Sequence, residues 1–250
     1  MRAMPISKAN RVLALAATLL LAAAAGAPPA IAANVPLPVS SRWKAGVNYK
    51  VISPAVPTNA PAGKVQVMEF FYLACPFCHA LEPHMLAWRK TKPAYVQFVR
   101  VPVMWAPLQV ADARLYYTLE ALGRDDLVET AFDTLHQMEK QAGTEAVMVG
   151  STPARTLALQ EAFAEQHGVS GAAFVNAYNS FDVHVELGRA RQLGRMYEVT
   201  GTPTIVIDGR YRTGPSFFRF RAGRAPRASG DNRTIELIDF LTRWVHDHSR

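Results

Sequence analysis

Val65-Gln-Val-Met-Glu-Phe-Phe-Tyr-Leu73, followed after Ala74 by Cys75-Pro76-Phe77-Cys78-His79, is the stretch on which the reading of this chain turns. The first nine residues are almost continuously apolar and rich in β-prone types, a pattern that suits a strand buried on both faces of a sheet. Directly beyond them stand two cysteines separated by two residues, and residues 80–92 carry a helix-compatible pattern. A strand feeding a Cys-x-x-Cys turn into a helix is the layout of a dithiol redox site.

Those two cysteines are the only ones among 250 residues. A secreted protein stapled by disulfides scatters its cysteines in pairs along the chain. A bridge closing so short a loop adds little stability through chain entropy, so the pair is kept for reactivity.

The N-terminus says where that reactivity is used. Arg2, Lys8 and Arg11 precede an apolar run over residues 12–25, and small residues with Pro28-Pro29 follow. This order reads as a secretory signal peptide over residues 1–32, with cleavage after Ala32 fitting the small-x-small rule and Ala25 or Ala33 as alternatives. The apolar run is short of the roughly 20 residues that cross a bilayer as a helix. Export to an oxidising space, a periplasm in a Gram-negative cell, is the expectation.

Half the residues are hydrophobic and 19% are charged, enough for a full globular core. Net charge is +7, and loss of Arg2, Lys8 and Arg11 with the signal leaves +4. A balance of that size calls for no nucleic-acid partner.

Past a Pro- and Ala-rich leader over residues 33–63, with one short strand near 49–52, the hydrophobic period changes several times. Strand 65–73, helix 80–92 and strand 96–103 make a βαβ unit. Helical pieces follow at 109–122, 125–139, 152–167, 172–179 and 181–197, punctuated by Gly123, Gly143, Gly150 and Gly168. Strand character returns at 203–208, and Asp208-Gly209 signals a hairpin to residues 211–213. Asn232 is placed to cap a last helix that runs to about His246, with Ile235, Ile238, Leu241 and Trp244 at helical spacing.

This is an α/β chain, and its order of elements, the secretory start and the CPFCH motif together resemble the DsbA family of periplasmic thiol–disulfide oxidoreductases. The resemblance is carried by Glu69-Phe-Phe before the Cys-Pro-x-Cys site, by the helical block with Tyr178-Asn-Ser-Phe181, and by Gly201-Thr202-Pro203 before the later strand. It implies a thioredoxin fold with an inserted all-helical domain: residues 64–106 and 199–250 form the thioredoxin-like part and 107–198 the insertion.

Chemistry follows from residue types. Thiol–disulfide exchange proceeds by thiolate attack on one sulfur, a mixed disulfide, and resolution by a second thiol. Cys75, at a helix start where free N–H groups favour an anion, is the expected attacked sulfur, and Cys78, one turn further in, the resolving one. Pro76 suits the first helical turn, where its missing N–H has no partner to lose. Phe77 departs from the histidine of the best-known DsbA pattern; it brings neither charge nor donor, so a weaker pKa depression at Cys75 and a less oxidising disulfide are expected.

For Pro203 the residues alone favour a trans bond, since cis is about 5–6% of X-Pro bonds in folded proteins. The resemblance implies cis, facing the disulfide, with the preceding backbone free to pair with a client peptide. Thr202 departs from the valine of the DsbA pattern and is more familiar in the disulfide isomerase branch. Glu69 reads either as a strand-edge residue facing water or, as the resemblance implies, as a buried carboxyl relaying protons for Cys78, with its pKa raised by burial.

His79 is grouped with Thr202 and Pro203 as client-binding. Cys-x-x-Cys-His also matches the attachment signature of a c-type haem, in which His79 would bind iron. The upstream strand, Pro76 inside the loop and the strand after Pro203 argue against that context. His84, His136, His167 and His184 stand singly on predicted helices and are expected at surface or core, not on zinc. No metal or cofactor is called for. The Arg-rich stretch 219–227, with Phe217, Phe218 and Phe220 interleaved, reads as a solvated loop.

The expected function is donation of the Cys75–Cys78 disulfide to reduced, unfolded exported proteins by a monomer, with a DsbB-like quinone-linked membrane protein implied as re-oxidant. A disulfide isomerase or reductase working from the dithiol is the first alternative. A non-enzymatic peptide-binding chaperone is the second.

Overall fold

The computed structural model describes residues 35–142, 148–219 and 229–249. The expected signal peptide, Gly143 and residues 220–227 of the Arg-rich stretch lie outside the described residues.

Five strands form one mixed sheet in the order β1-β5-β4-β2-β3. They are β1 (Lys50–Val51), β2 (Val65–Phe71), β3 (Val96–Pro102), β4 (Thr204–Ile207) and β5 (Tyr211–Thr213). β2 and β3 run parallel around helix α1 (Pro76–Thr91), as the βαβ pattern predicts; β4 lies antiparallel on the other side of β2. All seven residues of β2 are buried, which is why that strand reads as an apolar run without alternation. The Asp208-Gly209 turn joins β4 to β5 with φ of 50° and 64° at its two residues, the left-handed pair that a hairpin of this type requires.

Between β3 and β4 come α2 (Pro107–Ala121), α3 (Leu127–Ala142), α4 (Pro153–Gln166), α5 (Gly171–Tyr178) and α6 (Phe181–Met196). After β5 stand a four-residue helix α7 (Ser216–Arg219), absent from the sequence reading, and α8 (Ser229–His248). Asn232 is therefore inside the final helix and not its cap.

The sheet separates two apolar layers. On one face Val65, Val67, Ile205 and Ile207 pack against Leu81, Met85 and Trp88 of α1 and Leu237, Leu241 and Val245 of α8. Trp88 Nε1 donates to Asp239 Oδ1 at 2.7 Å and ties those two helices together. On the other face Met68, Phe70 and Val206 meet Leu115, Leu119, Phe132, Phe174 and Leu187 from the helices of the insert. Each such side chain, buried fully, contributes about 1.5–3 kcal/mol.

Helix α1 begins four residues earlier than its apolar spacing suggests. Cys75 is its N-cap, with extended backbone and Sγ accepting the N–H of Cys78 at 3.2 Å, and Pro76 occupies the first turn. Leu81, Met85 and Trp88 give it one buried stripe, Arg89 and Lys90 oppose the dipole at its last turn, and Pro93 prevents continuation past Lys92. The motif cysteines thus sit at a helix N-terminus that emerges from the centre of the sheet.

Candidate active site

Cys75 and Cys78 are free thiols, exposed 2% and 0% as whole residues, and beside them Pro76 is exposed and Phe77 is 52% exposed. The proline and phenylalanine form the outward surface of the turn. From across the sheet the loop before β4 brings Thr202 to Cys75: its Oγ1 lies 3.3 Å and its carbonyl oxygen 3.9 Å from Sγ. The Thr202–Pro203 bond is cis. Gly214 makes room for that loop, because a Cβ there would stand 2.6 Å from the Pro203 carbonyl oxygen, and its φ of 156° is one that side chains rarely adopt.

The two sulfurs are pushed in opposite directions. The Cys75 thiol is lowered to about 7, chiefly by hydrogen bonding from Cys78; burial opposes this, and Thr202 and the N–H groups of Cys78 and Phe77 add to it. Cys78 is raised well above the usual thiol range, first by burial, then by its bond to Cys75 and the charges of Cys75 and Glu69. In the reduced site the outer sulfur holds the charge and the inner one the proton.

Glu69 does not face water at a strand edge. It is 1% exposed, and its Oε2 accepts from Arg100 Nε at 3.0 Å, Arg100 being its Cα partner in the β2–β3 ladder. Arg100 Nη2 donates in turn to Glu82 on the inner face of α1. Both carboxylates leave an Oε1 buried without a hydrogen-bond partner among the described residues. Burial raises Glu69, with Arg100 opposing and Glu82 reinforcing; the two acids together raise Arg100, so the guanidinium stays charged. Burial and the second carboxyl nearby favour the protonated form of Glu69, and the charge of Glu69 when ionised acts on Cys78.

His79 has a different set of neighbours from Thr202 and Pro203. Its Nε2 lies 2.9 Å from Asp133 Oδ1 of α3, and its ring stacks on His136 with centroids 4.3 Å apart. Its side chain remains 33% exposed. His136, read from sequence as an isolated surface or core histidine, is buried and stands next to the active-site turn.

Arg100, Glu82 and Asp112 were not singled out by sequence, and His136 was named there only as an isolated helix histidine. Arg100 had a signal, a lone cation in a mostly apolar strand, and Glu82 had one too, lying four residues after Cys78 on the buried side of α1. Asp112 and His136 had none, because only the packing of α2 and α3 against the turn gives them a place.

A helix-capping dithiol, one sulfur poised and one sealed, set against a cis-proline loop on a mixed sheet, defines a thiol–disulfide oxidoreductase of thioredoxin type. The model of the DSBA-like thioredoxin domain matches residues 66–221. The chain is 32% identical over 203 residues to the thiol:disulfide interchange protein DsbA of Burkholderia cepacia, covering 81% of this chain and 85% of that one. It is 35% identical over 202 residues to the protein of the same name from Bordetella parapertussis, covering 79% and 86%. The crystal structure of Pseudomonas aeruginosa DsbA superposes with a TM-score of 0.67 at 30% identity, over 80% of this chain and 93% of that one. This chain belongs to the DsbA-like thioredoxin family. Its Cys-x-x-Cys-His run is accordingly a dithiol site and not a haem attachment site, and burial of Cys78 within the first turn of α1 fits that assignment.

Proposed function

We propose that the mature chain works in the periplasm after export and donates its Cys75–Cys78 disulfide to reduced, unfolded proteins arriving there. The observation that carries this reading is the asymmetry of the sulfurs: Cys75 caps α1 beside Thr202 with a thiol lowered to about 7, and Cys78 is sealed and kept protonated.

A client thiolate attacks Cys75 Sγ, the S–S electron pair passes to Cys78 Sγ, and Cys78 takes up a proton. A second client thiolate then attacks the client sulfur of the mixed disulfide and releases Cys75 as thiolate. Two electrons move from the client to the protein, and the client gains one disulfide. Stabilising the departing thiolate makes this release easier.

Glu69, held by Arg100 and adjoining Glu82, serves as the carboxyl that relays the proton to and from Cys78. Thr202 donates to the Cys75 thiolate, the cis Pro203 turns the backbone before it towards an extended client, and the partly exposed His79 adds an imidazole to the client-binding surface. Pro76 pre-sets the first turn of α1, and Phe77 offers clients an apolar ring. Residues 64–106 and 199–250 form the thioredoxin-like part and 107–198 the helical insertion, and the chain acts as a monomer. No cofactor enters the exchange. Re-oxidation falls to a DsbB-like membrane quinone reductase. Among the described residues no helix is long and apolar enough to cross a membrane.

One observation favours a second reading as isomerase or reductase: Thr202, with its hydroxyl 3.3 Å from Cys75 Sγ, and the exposed Phe77 stand where the best-known DsbA pattern has valine and histidine. The redox equilibrium of the purified mature protein with glutathione decides between them. A strongly oxidising value supports donation, and a thioredoxin-like value overturns it. Cys75→Ser separates the chaperone alternative from exchange, because peptide binding should survive in the variant and oxidation should vanish.

A further inference from the structure

Between β2 and α1 the chain makes a tight turn. The N–H of Cys75 donates to the carbonyl of Tyr72 at 3.1 Å, which leaves the Leu73–Ala74 peptide as the central unit of that turn. Its carbonyl and N–H take no part in the closing bond, and both residues are buried, so each group needs a partner from elsewhere. His136 of α3 meets one need: its Nε2 lies 3.2 Å from the Leu73 oxygen, and because a carbonyl only accepts, that nitrogen carries the hydrogen. Asp112 of α2 meets the other, its Oδ2 accepting the N–H of Ala74 at 3.2 Å. One peptide, immediately before the reactive cysteine, is held on two sides by two helices. Were it to flip, the Leu73 oxygen would face the Asp112 carboxylate and the Ala74 N–H would face a donor. Both contacts resist that.

Asp112 is 1% exposed, and its Oδ1 has no hydrogen-bond partner among the described residues. Burial pushes its carboxyl up to about 7, with the Ala74 N–H opposing. From α4 the neighbouring Gln160 bonds the Ala111 carbonyl and does not titrate. The titratable groups on the other elements at this turn are Cys75, Cys78 and His79 at α1, His136 and Asp133 of α3, and Glu69 of β2, which acts on Cys78.

We propose that Asp112 is a positioning residue that couples the reactivity of Cys75 to pH: in both protonation states it holds the turn peptide, and in the charged state it sets an anion behind the residue that precedes the thiolate. This deepens the exchange reading of the same site and rests on it. A buried anion disfavours a second one nearby. The disulfide is therefore more oxidising when Asp112 is neutral, and becomes less so as Asp112 ionises.

Asp112→Asn keeps the acceptor for Ala74 and removes the charge. Its glutathione equilibrium is expected to equal that of the wild type at pH 6 and to lie about threefold further towards the oxidant at pH 8. An equal shift at both pH values marks a packing role only and overturns the proposal; no shift at either overturns it as well. Should this variant fail to fold, the Ala74 amide proton of the wild type serves instead. Its NMR shift is expected to titrate with a midpoint of about 7 in the oxidised form and at a higher pH in the reduced form, because the Cys75 thiolate disfavours a second anion as much as that anion disfavours the thiolate; a flat response, or equal midpoints in the two forms, overturns the proposal. A wild-type protein inert towards glutathione sinks the exchange reading, and the amide titration still decides the clamp.

Discussion

Glu69 and Arg100 face each other as Cα partners on adjacent parallel strands and form a buried ion pair at 3.0 Å, with Glu82 completing a triad under the dithiol. Arg100 also lies over the rings of Phe71, Phe98 and Phe132, so its charge is enclosed by apolar surface on the remaining sides. Breaking such a pair leaves uncompensated buried charge.

Arg100→Met is expected to destabilise the fold by about 3–5 kcal/mol at neutral pH, measured by urea denaturation. Because the carboxyl of Glu69, already raised by burial, loses its cation, the loss shrinks as pH falls and it protonates. A deficit independent of pH contradicts this account.

Glu69→Gln retains the shape and an acceptor for Arg100 and removes the titrating group. Stopped-flow oxidation of a reduced client is expected to slow by about tenfold or more with the melting temperature little changed. An unaltered rate dismisses Glu69 as relay.

Cys75 of the reduced protein is expected to react with iodoacetamide with half-maximal rate near pH 7, while Cys78 remains unmodified. The same depression has a stability consequence. A thiol with a folded pKa below its unfolded value of about 8.5 stabilises the reduced fold fully above the unfolded value, and that contribution is lost as pH falls through about 7. It amounts to about 2 kcal/mol. Cys78, raised, acts in the opposite sense above pH of about 8.5. The stability of the reduced form relative to the oxidised form should therefore climb between pH 7 and 8.5, as read from paired denaturation curves.

Thr202→Val removes the hydroxyl 3.3 Å from Cys75 Sγ and leaves the cis-proline loop its β-prone shape. The alkylation midpoint of Cys75 is expected to rise by about one unit, the worth of a hydrogen bond to a charged group. The disulfide becomes correspondingly less oxidising. An unchanged midpoint removes Thr202 from the tuning of the site.

Phe77→His places a donor that can be charged beside the thiolate at a position 52% exposed, where substitution disturbs little packing. A glutathione equilibrium shifted towards the oxidant is the expected outcome, and no shift rejects this account of the motif.

Much of this molecule was readable residue by residue, where local rules act alone. The apolar run of β2, the parallel β3 after one helix, the left-handed Asp208-Gly209 turn and the five helices between β3 and β4 follow from periodicity and turn chemistry. Reading α1 from residue 80 missed its first turn, because a cysteine as N-cap and a proline at N1 read as loop in an apolar-spacing pattern. Asn232 failed as the cap of α8 because Ser229 begins that helix earlier.

By itself the sequence determined which chemistry is present: two thiols at a helix start, a proline before the returning strand and a carboxyl in the central strand. Tertiary structure alone decided what that chemistry feels. Strand register set Arg100 against Glu69, the loop before β4 brought Thr202 to Cys75, and two helices from the insert closed on the peptide between Leu73 and Ala74. The physical reason is that electrostatics and desolvation depend on distance in space, and these partners are separated by between 31 and 127 residues of chain.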